Sequence, residues 1–257
     1  MRVVIFACIF LISLIGSAQP NKSAYKNDEY LKYRMHYGII NAGYASVQIN
    51  EINDEGKPAF HVIGKGWTVG MIKFFFEVKD NYQTKFYQDS QLPYHFRRRV
   101  NEGGYIISRD VYFDQLNGEA FVEDHKKNKT KMLEIGEVQD MISSFYYLRN
   151  HDLSSMEKGD EIQLDMFFDY ETFDFRLKYL GVDEINTKFG KIKCLKFRPL
   201  VQSGRVFKED ESLTVWITAD KNKIPIRIKA ELAVGSLKAD LDEFKGLAHP
   251  FKIIVDN

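Results

Sequence analysis

Apolar and polar residues alternate with a period of two along most of this chain, a rhythm that suits a half-buried β-strand and little else. Leu31, Tyr33, Met35, Tyr37 and Ile39 alternate with Lys32, Arg34, His36 and Gly38. Ala45, Val47 and Ile49 repeat the pattern. Further on, Phe173, Phe175, Leu177 and Tyr179 stand opposite Asp174, Arg176 and Lys178. The 20 Phe and 14 Tyr fall largely within such runs, which strengthens a β reading.

Turn residues divide these runs. Asn41-Ala42-Gly43 predicts a hairpin turn, as do Asp54–Pro58, Asn101–Gly104, Asn117-Gly118, Phe189-Gly190 and Ala219–Lys223. His125–Lys131 is rich in like charge and reads as a solvated hairpin tip. Near the C-terminus, Ile226 to Val234 are apolar at even positions, whereas Leu237, Ala239 and Leu241 are odd. This parity switch at Gly235-Ser236 marks a β-bulge or a tight turn, and the absence of a charge there favours a bulge in one bent strand. One stretch has helical spacing: Val138, Met141, Ile142, Phe145 and Leu148 share a face, predicting a helix over 138–149. The expected architecture is mostly β. A single large antiparallel sheet would curl into a barrel or open half-barrel, with the helix capping or plugging it. Two sheet domains meeting near residues 150–160 are the alternative.

Residues 1–18 read as an export signal: Arg2, an apolar run from Val3 to Ile15, then Gly16-Ser17-Ala18 before Gln19. The run is shorter than the roughly 20 residues a spanning helix needs. A β-rich domain over 19–257 would then work in the periplasm as a monomer, free or peripheral to the outer membrane. Cleavage removes Cys8, which sits inside the apolar run rather than at a lipidation position, and leaves Cys194 alone, with no internal disulfide. The context of Cys194 is a strand, and a buried, inert thiol is expected. With 36 basic and 36 acidic residues, and 35 against 36 after cleavage, the chain lacks the basic excess of a nucleic-acid binder.

Sequence motifs for chemistry are sparse. The six histidines form none of the spacings that hold zinc, and His36, His61 and His95 fall at polar strand positions and read as surface residues. There is no G-x-S-x-G elbow, since Ser203-Gly204 lacks its context, and no phosphate loop or dinucleotide fingerprint. No cofactor, metal or catalytic residue is therefore expected. Carboxylate pairs among Asp165, Asp169, Glu171 and Asp174, or among Asp240, Asp242 and Glu243, leave a carbohydrate-active enzyme as an alternative.

Two features stand out as candidate binding elements. Trp67, Val69, Met71, Ile72, Phe74, Phe75 and Phe76 crowd into ten residues with only Lys73 charged. They form either a core strand or plug at the barrel floor, or an apolar lip that enters a membrane interface or lines a ligand cavity. In Arg97-Arg98-Arg99, strand alternation turns Arg98 to the side of Phe96 and Val100. There it requires an ion-pair partner or an anionic ligand. Trp67, Phe74, Phe76 and Arg98 are the candidate ligand-binding residues.

The chain resembles the Gram-negative envelope family known as domain of unknown function 3108. The likeness rests on Leu31–Gly43, Asp80–Thr84, Leu92–Phe96, Asp140–Arg149 and Gly190–Cys194, and on Val215–Asp220, Ile224–Ile228 and Gly235–Ala239. It implies an exported, β-rich protein and carries over no active site. The curled sheet with a helix is also similar to periplasmic lipoprotein carriers, which hold acyl chains in an open barrel, a likeness of fold alone. The leading expectation is a non-enzymatic protein that binds a lipid-like envelope molecule in its barrel. An interaction module docking on an outer-membrane protein is the alternative.

Overall fold

The computed structural model describes residues 23–200, 213–232 and 234–255, so the leader and Ser203-Gly204 lie outside the described residues. In chain order, the first eight strands are β1 (Tyr30–Tyr37), β2 (Ile40–Asp54), β3 (Lys57–Thr68), β4 (Lys79–Tyr87), β5 (Pro93–Glu102), β6 (Tyr105–Asp114), β7 (Glu119–Asp124) and β8 (Lys129–Glu134). A short helix, α1 (Gly70–Phe75), separates β3 from β4, and α2 (Ser143–Asn150) follows β8. The remaining strands are β9 (Glu161–Phe168), β10 (Glu171–Thr187), β11 (Gly190–Leu200), β12 (Leu213–Thr218), β13 (Pro225–Glu231) and β14 (Ser236–Lys245).

All fourteen strands form one antiparallel sheet in the order β8 to β1, then β14 down to β9. The first and last strands pair in its middle, and β8 and β9 are its edges. The sheet does not close through a β8–β9 ladder. Instead it curls until its ends meet through side chains and the segment before α2. Gln139 bridges Met166 of β9, with Gln139 N donating to Asp165 O at 2.9 Å and Phe167 N to Gln139 O at 2.8 Å. Gln115 grips the same segment from the β6–β7 turn, exchanging bonds with Val138 N and O at 3.1 and 3.0 Å. Phe113 of β6 meets Phe167 of β9 edge-on at 5.5 Å.

Helix α2 runs through the interior. Ile142 and Tyr146 pack into a core of Ile49, Val62, Phe86, Phe96 and Val111. Phe145 touches that core and a second one around Leu31, Ile192, Trp216 and Leu241. Leu148 faces a third, smaller cluster of Ile162, Tyr179 and Phe197. A helix apolar on several sides belongs inside. Gly64 makes room for it, because a Cβ there would lie 3.2 Å from Ile142 Cδ1.

The helix is shorter than 138–149, since Asp140 stops it from extending backwards. Its Oδ1 accepts from Ile142 N and Ser143 N at 2.7 and 2.9 Å, while its own N–H donates to Ser143 Oγ. This reciprocal arrangement resembles a capping box. Oδ2 accepts from Thr84 on β4. At the other end Arg149 is 3% exposed and Glu29 is fully buried. The guanidinium holds Glu29 through two bonds of 2.6 and 2.8 Å, and donates to Asn222 O and Ala24 O.

Three local expectations are corrected. Asn41–Gly43 is not the turn; Gly38, at φ +55°, turns the chain and Ile40 already opens β2. Gly43 is small for another reason, since a Cβ would sit 2.2 Å from Trp67 O on β3. The switch at Gly235-Ser236 is a turn between β13 and β14, not a bulge, with Gly235 at φ +73° and Leu232 N donating to Gly235 O. His36, His61 and His95 are half-buried and hydrogen-bonded to Asp240, Gln83 and Asp110 rather than free on the surface. Cys194 is fully buried, and burial pushes its thiol up to about 12.

Removing one partner of the Arg149–Glu29 pair strands the other charge in the core. Glu29→Gln or Arg149→Met should each lower unfolding free energy by about 3–5 kcal/mol, while the double variant recovers much of that loss, as read by urea denaturation. Burial raises the Asp140 carboxyl from an ordinary 3.8 to about 6. Between those values the folded chain holds the proton that the unfolded chain has released, so this group removes stability as pH rises from about 4 to 6. Relative to Asp140→Asn, the wild type should lose on the order of 3 kcal/mol between pH 4 and pH 7.

Candidate functional site

The Trp67–Phe76 segment is not a core strand or a plug. Trp67 lies next to the end of β3, half-buried and tilted against Tyr44 at 5.9 Å, and the chain then lifts away from the sheet as α1. No residue of α1 is buried. Phe74 is 92% exposed and Phe75 82%, and Met71 and Phe76 also face solvent. Leaving a phenylalanine in water forgoes roughly 1.5–3 kcal/mol that burial would supply.

This tip is held firmly. Val69 N donates to Ala42 O at 3.2 Å, and Phe76 N to Ile72 O at 2.8 Å. The Thr68 hydroxyl donates to Phe76 O and accepts from Val78 N, closing the base of the loop. The Phe76 ring lies over Gly103, where a Cβ would come within 2.6 Å of it. Because a meander alternates its turns, the turns after β1, β3, β5 and β13 share one end of the sheet. Other exposed apolar side chains gather on that end: Ile39 and Ile40 from the first turn, Tyr105 and Ile106 beside the third, and Val234 at the last.

Arg98 points inward, as strand alternation requires, and is only 6% exposed. It pairs with Asp169 in the β9–β10 turn and stacks on Phe168, with its guanidinium carbon 4.3 Å from the ring centre. Arg109 joins it, donating to Asp169 at 2.6 Å and to Asp124 at 3.0 Å, while the Tyr170 hydroxyl donates to Asp124 at 2.9 Å. Burial would raise Asp124, yet the bonds from Arg109 and Tyr170 prevail and bring it down to about 2. This latch holds the far hairpin over β5–β7. It also holds Asp169 and Tyr170 at φ +49° and +75°, which non-glycine residues seldom adopt. Arg97 and Arg99 emerge on the other face and share Asp110 with His95 and His125.

A cleft that the sequence did not indicate lies on the opposite side of α2. Its volume is about 170 Å³, and it is walled by Phe145 and Leu148 of α2, Ile162 of β9, Leu177 of β10, Phe197 of β11 and Ile217 of β12. It exists because the third cluster is sparse: Leu148, Leu177 and Ile217 are only partly buried there. Phe175 and Pro199 bound it toward the end that carries the lip, whereas Lys223 and Arg149 bound it toward the other. Trp67, Phe74, Phe76 and Arg98 do not line this cleft, and the fold does not gather those four residues into one site. No sequence motif marks the cleft, since its walls are ordinary inward residues of α2 and of strands distant in sequence.

Asp169, Asp174, Asp240 and Asp242 are engaged by cations. Asp240 accepts from Arg227 at 2.5 Å and His36 at 2.8 Å, and Asp242 from Lys188 at 2.7 Å. Burial raises Asp240, but those bonds outweigh it and hold the carboxyl below the usual range, the opposite of a general acid. Asp174 lies 3.6 Å from Arg176, and Asp169 belongs to the latch. Among the described residues, no group of three or more His, Cys, Asp or Glu could hold a metal ion.

A family model described as "Protein of unknown function (DUF3108)" matches residues 32–242. No curated protein matches the chain. Among solved structures, a β-barrel-like protein of domain of unknown function DUF1849 from Brucella abortus aligns at a TM-score of 0.56 with 10% identity, covering 86% of this chain and 98% of that one. A candidate lipoprotein from Parabacteroides distasonis aligns at 0.37 with 12% identity, covering 87% and 98%. A DUF1089 family protein from Pseudomonas aeruginosa aligns at 0.32 with 10% identity, covering 88% and 95%. The first of these likenesses concerns the fold alone.

The latch supplies a stability test of Arg98. Asp169→Ala should lower unfolding free energy by about 2 kcal/mol, because the exposed side of Asp169 is screened while Arg98 is left buried. Adding Arg98→Met to that variant should restore part of the loss in urea unfolding.

Proposed function

The chain belongs to the DUF3108 family of proteins of unknown function, and we propose that it is a non-enzymatic periplasmic protein that binds an amphipathic, lipid-like envelope molecule. The cleft between α2 and β9–β12 carries this reading, since its walls are almost entirely apolar. Its size sets the ligand. A dry cavity of about 150 Å³ accepts one benzene-sized group, so a cleft of this volume suits a short apolar segment rather than a whole lipid. Lys223, half-buried at one end of the cleft and bonded to His151 O at 2.5 Å, is the cation nearest to a head group there. Trp67, Phe74 and Phe76 stand at the same end of the sheet as Phe175 and Pro199 but away from the cleft, and serve in contact with the envelope rather than in its walls. Arg98 is committed to Asp169 and contributes through the latch.

A second reading, a module that docks on an outer-membrane protein through the same tip, is favoured by the occupation of most of the interior by α2. Native mass spectrometry of protein purified from its own envelope separates the two. The binding reading expects a retained apolar adduct in the wild type that is lost in Leu177→Trp, which fills the cleft. Absence of any adduct on the wild type, or an adduct unaffected by Leu177→Trp, would sink it.

A further inference from the structure

We propose that the end of the barrel bearing α1 docks onto an anionic lipid bilayer, with Phe74, Phe75 and Met71 entering the interface and a tier of lysines at headgroup level. This does not depend on what the cleft holds.

The first observation is that the apolar surface is convex and rigid. Phe74 and Phe75 stand on a loop closed by Thr68 and seated on Gly103, so their exposure is built into the fold and does not come from a frayed end. Ile39 projects from the neighbouring turn, wholly exposed. Such a convex tip fits an interface several ångströms deep.

The second observation is the layering behind the tip. Trp67 and Lys79 are register partners on β3 and β4, and Lys65 lies two residues before Trp67 on the same face. A tryptophan with flanking lysines one step back from an apolar tip matches the order of a membrane interface. Lys65 and Lys79 are exposed and meet no carboxylate among the described residues. Of the nearby acids, Glu77 is held by Lys73 at 3.4 Å, and Asp80, adjacent to Lys79 in the strand, points to the other face.

The third observation is the distribution of charge between the two ends. On the lip end, the β7–β8 tip exposes Lys126, Lys127, Lys129 and Lys131. The opposite end, at the turns after β2, β4 and β6 and the segment after β8, carries Asp54, Glu55, Asp89, Asp114, Glu119 and Glu137. Along β2–β8, exposed lysines therefore gather at the same end as the exposed apolar side chains. An anionic bilayer attracts the former and accepts the latter, with each lysine near the surface adding to the attraction.

The test is flotation of the exported, purified protein with vesicles of phosphatidylcholine and of phosphatidylcholine mixed with phosphatidylglycerol. Wild type should float with both and more with the anionic mixture. Phe74→Ser/Phe75→Ser should cut partitioning to both by about tenfold or more, from the apolar area withdrawn. Lys126→Glu/Lys127→Glu should reduce binding to the anionic vesicles severalfold and leave the neutral ones unchanged. Leu116→Ser, an exposed side chain at the opposite end, should float like wild type. The proposal is overturned if wild type stays unbound, if the phenylalanine variant floats as well as wild type, or if the tip instead forms a dimer seen by sedimentation velocity without vesicle binding. Adducts in the cleft are read separately by native mass spectrometry, so the two outcomes cannot be confused.

Discussion

A fully buried arginine cannot stand in this core without several partners, and Arg149 recruits them from three remote parts of the chain. Glu29 comes from the lead-in to β1, Ala24 O from the segment before it, and Asn222 O from the β12–β13 turn. Tyr25, Phe145 and Tyr146 surround the guanidinium, their ring centres about 5.5 Å or less from it. Because Arg149 sits in the last turn of α2, satisfying it fixes that end of the helix inside the sheet. Asp140 fixes the other end through Thr84. The helix then determines how the two halves of the sheet are packed, with a dense core on one side and a looser one on the other.

The sheet itself is left open, and each edge is handled differently. β8 carries Lys129 and Lys131, exposed charges that discourage a further strand from pairing. β9 is met by the Val138–Asp140 segment, whose backbone takes up part of its hydrogen bonding. Closure is completed by ionic contacts at the β9–β10 tip, where Asp169 gathers Arg98 and Arg109. A fold closed by side chains rather than by a ladder can leave a cleft beside its plug, as it does along Leu148, Leu177 and Phe197.

The apolar side chains therefore have two fates. Most line the interior in strict alternation, and a smaller set is carried outward on one end by α1 and the turns beside it. The inner set explains why the chain folds. The outer set is held out on a loop closed by Thr68 and seated on Gly103.

Much of this was readable in the chain. Period-two alternation specified the strands, their inward residues and the inward direction of Arg98, because each side chain on a strand must face opposite to its neighbours. The helix is visible in Ile142, Phe145 and Leu148, although Val138 is buried in the extended segment whose Gln139 bridges Met166 rather than in the helix. The turns at Gly38 and Gly235 were displaced or misread because glycine serves close contact as readily as reversal, and only the neighbouring strand tells which. Whether Trp67–Phe76 was core or lip, which acid held Arg98, and where a cleft would open all depended on residues far away in sequence. Local alternation determines which way a side chain points. What it meets there depends on the curl of fourteen strands around one helix, and only the tertiary structure decided that.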